Sequence, residues 1–154
     1  MLITDLINNI LRQGDCHTGP SLQQRSIISG QKQLALNNFP MLPKDFICFL
    51  HHFNGLTTGW GVIFGFNPTG SFAYDIAHEN ALLEFPRRQR ILILGYDEYS
   101  YLAYNPARHL YQIIDKDTRE VLQAYSSAAA ALEHILKTNY EQYLYLSLIH
   151  ISEP

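Results

Sequence analysis

The stretch ILILGYDEYSYLAYNPARHLYQIIDKDTREVL, residues 91–122, decides the fold class. Ile91 to Tyr96 is apolar on both alternating faces, which predicts a strand in the middle of a sheet. Asp97-Glu98 turns the chain into Tyr99–Tyr104, and Asn105-Pro106 turns it again into His109–Asp115. Lys116-Asp117-Thr118-Arg119 then leads into Glu120-Val121-Leu122. Connections this short join antiparallel neighbours, so the segment predicts a meander.

Working outward, Val62–Phe66 is bounded by glycines and Asn67-Pro68 and predicts the first strand of the sheet. Asp75–Phe85 between the strands reads as a short helix. Upstream, Pro43 suits the first position of a helix whose Phe46, Phe49, Leu50 and Phe53 form one stripe, with Gly55 closing it as a left-handed residue. Leu2, Ile3, Leu6, Ile7, Ile10 and Leu11 give an N-terminal helix ended by Gly14. A loop over Asp15–Pro20 precedes a weaker helix from Ser21, where Ile27, Ile28, Leu34 and Leu36 only partly keep period around Gly30. A last helix starts near Ser126-Ser127, with Ala128, Leu132, Ile135, Leu136 and Tyr143 on its face. Helices on both sides of a run of strands predict an α+β fold. The expected form is an antiparallel meander sheet of about five strands with the helices packed on one face.

The 154 residues fit one domain, without repeat or linker. That domain is expected to span residues 1–146. Residues 147–154 resemble a translated sequencing-adapter fragment, a non-native tail; the alternative is an extension of the final helix.

A net charge of −3 argues against nucleic acid as partner, because Arg87-Arg88-Gln89-Arg90 alone is too short for a basic face. No signal peptide or run of roughly 18–20 apolar residues is visible, so no membrane is expected and a cytoplasmic location is. Two cysteines cannot make a disulfide framework, and Cys48 among Phe46, Ile47, Phe49 and Leu50 is expected to be a buried thiol. A monomer is expected.

Little in the sequence carries chemistry. The seven histidines keep no ligand spacing, and neither H-E-x-x-H nor paired C-x-x-C occurs, so no metal is expected. Gly59-Trp60-Gly61 and Gly65 lack the Lys and Ser/Thr of a phosphate loop, so no cofactor is expected either. A spatial pairing of Cys16 or Cys48 with a distant His stays open from sequence. The acids Asp97, Glu98, Asp115 and Asp117 fall at turns, where local hydrogen bonding favours Asp, and remain free to face a partner.

Leu42-Pro43-Lys44-Asp45-Phe46, Phe49-Leu50 and Phe53-Asn54-Gly55 together resemble the signature helix of the SUKH superfamily. Trp60-Gly61 with Phe64-Gly65 is similar to its first sheet strand, and the order of elements from Ser21 to Tyr143 follows a YrhA-like bacterial subgroup. The resemblance implies a non-catalytic protein-binding domain. In bacteria this means an immunity protein that neutralises a toxin by direct binding; in the fungal branch it means a regulatory interaction module without a toxin. No catalytic residues travel with the fold.

For the partner surface, Tyr99 and Tyr101 share one strand face by the period-two rule. With Asp97, Glu98, Asp115 and Asp117 around them they form an acid-rimmed patch suited to a basic toxin such as a nuclease. Trp60, beside the first strand, is a further anchor. The alternative is half-buried sheet tyrosines with solvated turn acids.

Overall fold

Leu92–Tyr96 is the fourth of the seven strands among the described residues, at the centre of the sheet in keeping with its doubly apolar pattern. The computed structural model describes residues 3–12, 16–19, 21–59, 61–66 and 74–137. Its strands are β1 (Cys16–Thr18), β2 (Leu56–Thr58), β3 (Val62–Ile63), β4 (Leu92–Tyr96), β5 (Ser100–Asn105), β6 (Leu110–Asp115) and β7 (Val121–Tyr125). Each pairs antiparallel with the next, in the order β1 to β7. The helices among the described residues are α1 (Ile3–Arg12), α2 (Gln24–Leu36), α3 (Lys44–His52), α4 (Ile76–Leu83), α5 (Phe85–Gln89) and α6 (128–137).

The α+β meander is present, with two corrections. The sheet has seven strands where about five were expected, because β1, inside the predicted Asp15–Pro20 loop, pairs with β2, directly after Gly55. The helices also cover both faces. Tyr101 and Tyr104 lie three residues apart on β5 and therefore face opposite ways. Tyr104 stands beside Tyr111, whose hydroxyl reaches Asp45 of α3, whereas the Tyr101 ring lies 5.4 Å from Phe85 of α5. So α3 and the start of α6 cover one side, and α5 covers the other.

Asp45 ties three elements together. It accepts the Tyr111 hydroxyl through Oδ1, and its Oδ2 accepts the backbone N–H of Ala128 at 2.7 Å. A carboxylate at the start of α6 meets the orphan N–H groups there, and Ser127 Oγ accepts a further one from Ala130. Burial first, then the neighbouring carboxylate, hold the Tyr111 hydroxyl well above the usual tyrosine range.

Two asparagines complete the sheet where strands are missing. Asn54 Nδ2 donates to Phe66 O at 2.7 Å while Phe66 N donates back to Asn54 Oδ1 at 2.8 Å. Asn80 treats Ile93 the same way, at 2.8 and 2.7 Å, and also donates to Ile76 O. Each side-chain amide thus supplies the donor and acceptor of a ladder rung to a buried backbone. Gly65 is required beside Asn54, since a Cβ there would stand 2.4 Å from Asn54 Oδ1. Gly55 takes φ 90° in the same corner, two residues beyond Phe53, the C-cap of α3.

Cys48 is exposed, not buried, because it sits off the Phe46/Phe49/Leu50 stripe; Cys16 is the buried thiol. Residues 147–154 and Tyr143 lie outside the described residues.

Candidate partner-binding surface

In an antiparallel meander, alternate turns fall at the same end. The turns β2–β3, β4–β5 and β6–β7 therefore share one end of the sheet. They touch: Lys116 N donates to Tyr99 O at 2.9 Å, and a Cβ on Gly61 would lie 2.8 Å from Tyr96 O and 3.4 Å from the Cα of Asp97. Asp97, Glu98, Tyr99, Asp115 and Asp117 are brought together here. Trp60 lies outside the described residues.

Both turns are built by an Asp. Asp97 Oδ1 accepts from Tyr99 N at 2.9 Å and Ser100 N at 2.7 Å. Asp115 Oδ1 accepts from Asp117 N and Thr118 N, each at 2.9 Å. These two carboxylates lock the backbone in side-chain-closed turns. The backbone N–H of Thr118, then that of Asp117, hold the Asp115 carboxyl below its usual range. Glu98 and Asp117 are exposed beside them, and Tyr99 is 64% exposed at the tip.

The tyrosines differ. Tyr101 is half-buried against Phe85, and two cations lie over this aromatic floor. Lys116 Nζ is 4.5 Å from the Tyr96 ring centre and 5.6 Å from that of Tyr101. The Arg119 guanidinium is 3.8 Å above Phe85 and 5.3 Å from Tyr101. Sequence reading did not anticipate this: Lys116 and Arg119 belong to the same turn as the acids, yet bend back onto the rings of one sheet face. Asp97, Glu98, Asp115 and Asp117 outnumber these two cations, so the tip is net negative. The one available signal was the pair of cations bracketing Asp117-Thr118 next to an aromatic-rich strand.

No family model matches the chain, and no curated protein matches it. Among the described residues no three His, Cys, Asp or Glu side chains are placed to hold a metal ion, and no helix is long and apolar enough to cross a membrane.

Proposed function

We propose that this domain works by binding another protein through the turn end of its sheet, as an immunity protein that neutralises a cognate toxin. The observation that carries the reading is the composite tip: Asp97 and Asp115 fixed by their own turns, Glu98 and Asp117 exposed beside them and an exposed Tyr99 between, with Lys116 and Arg119 seated on the rings of one sheet face. Such a surface needs little ordering on association, which favours affinity. Its negative potential suits a basic partner and speeds encounter, as inhibition of a toxin demands. The SUKH resemblance supports the same reading. Its Asp45 and Asn54-Gly55 positions carry structural bonds in this chain, which fits a motif that preserves a scaffold rather than a reaction.

The test is co-expression with toxin domains encoded beside related genes, scored by survival and by co-purification. Rescue with a stable complex is the expected result, lost in Glu98→Lys/Asp117→Lys, whose two positions are exposed and whose side-chain carboxylates close no turn. Failure to rescue from or capture any of them would move the assignment to a regulatory interaction module.

A further inference from the structure

The opposite end of the sheet carries the opposite charge. The β5–β6 turn brings Arg108 and His109 there, and α5 delivers Arg87, Arg88 and Arg90 just before β4 begins. All five side chains are exposed. Arg88, Arg90 and Arg108 have no ion pair among the described residues. Arg90 also lines an open groove of about 720 Å³, together with Phe39, Pro40, Met41, Leu42, Tyr104 and Pro106, among others.

The groove wall is held rigid. Leu42 is clamped by Gln31, which accepts from its N–H at 2.7 Å and donates to its carbonyl at 3.0 Å. Phe39 N donates to Leu34 O at 2.9 Å, and the Arg87 guanidinium stacks 4.8 Å above the Phe39 ring. Pro40 and Pro43 restrict the backbone further. Between these anchors Met41 projects outward, 57% exposed, and its backbone N–H and C=O have no partner among the described residues. A segment anchored at Phe39 and Leu42, with an open backbone donor and acceptor at Met41, an apolar lining and Arg90 alongside, is shaped for an extended chain.

We propose that this groove binds an extended acidic peptide segment of a partner protein. One apolar side chain of the segment sits against Met41, Pro40 and Pro106, its backbone pairs with Met41, and a neighbouring carboxylate meets Arg90, with Arg108 two residues beyond Pro106. The chemistry favours an acidic peptide over a nucleic acid. The floor is apolar and proline-rich rather than a stripe of cations, and the chain carries a net charge of −3, which opposes a long polyanion. This surface is separate from the acidic tip, and neither assignment depends on the other.

The experiment uses the full chain and a fluorescein-labelled octapeptide with a central Phe flanked by Asp and Glu. Its controls are the same peptide with Asn and Gln for the acids, and a labelled oligothymidylate. Anisotropy should show saturable binding of the acidic peptide, weakened by salt and reduced at least about tenfold by Arg90→Glu/Arg108→Glu, both exposed positions whose exchange should leave the thermal midpoint in place. Amide shifts on binding should centre on Met41, Leu42 and Arg90. No saturable binding, equal binding of the neutral peptide, or preferential binding of the oligothymidylate would each overturn the proposal.

Discussion

Replacing Asp45 by Ala tests how the two halves of the chain are joined. The substitution removes the acceptor of the Tyr111 hydroxyl and of the Ala128 N–H, together with the bond from Phe46 N at 3.0 Å. Hydrogen bonds to a charged group contribute roughly 1.5–3 kcal/mol, and loss of a helix cap costs about 1 kcal/mol, so a simple sum approaches about 4 kcal/mol. Tyr111 is 2% exposed, but the Asp45 side of the pair is open to solvent, and water replaces part of what is lost. The expected cost is about 2 kcal/mol, read as a lower urea midpoint at unchanged slope. Tyr111→Phe should cost about 1 kcal/mol, and the double variant should be less destabilised than the sum, by about 1 kcal/mol of coupling. An Asp45→Ala protein within about 0.5 kcal/mol of the parent, or strictly additive variants, would refute the three-way junction.

Three further outcomes follow from the same structure. Asn80→Ala leaves both backbone groups of buried Ile93 unsatisfied and should cost about 3 kcal/mol by urea titration, with Asn80→Asp no better because it loses the donor. The raised Tyr111 ionisation gives a stability contribution that is complete below the unfolded tyrosine value, about 10, and is lost as pH rises beyond it; the parent should therefore lose stability more steeply above pH 10 than Tyr111→Phe does. Burial pushes the Cys16 thiol up to about 11, while Cys48 is exposed, so 5,5′-dithiobis(2-nitrobenzoate) at pH 8 should titrate one thiol quickly and a second only on unfolding, and Cys48→Ser should abolish the fast phase.

The meander was legible because β4, β5 and β6 are long enough to show alternation and are separated by Asp and Asn-Pro turns. β3 was found through its glycine and Asn-Pro boundaries, although it is the third strand rather than the first; β1 and β2 have three residues each, too few for a period, and their pairing is a tertiary event. Likewise, nothing in a sequence marks Asn54 or Asn80 as a substitute rung, since the bond lies 12 or 13 residues away. Gly30 was readable only as a weakness in α2; a Cβ there would stand 2.4 Å from the Phe66 ring, so its absence is a packing requirement. Cys48 was misplaced because hydrophobic neighbours in sequence were taken for neighbours in space, although a helix turns about 100° per residue. At the surface, turn chemistry was readable for Asp97 and Asp115, whereas the posture of Lys116 and Arg119 depends on rings that only the folded sheet assembles.

The charges at the two ends of the sheet are separated by the length of a six-residue strand, about 20 Å. At physiological ionic strength the screening length is about 8 Å, so each pole is felt only by what approaches that pole. Near 0.01 M salt the screening length grows to about 30 Å, longer than the sheet, and the molecule then behaves as a single dipole that turns in the field of a charged neighbour. Dilution of the buffer thus converts two independent surfaces into one oriented particle, and association measured at low salt reports the orientation of the whole chain along with the contact itself.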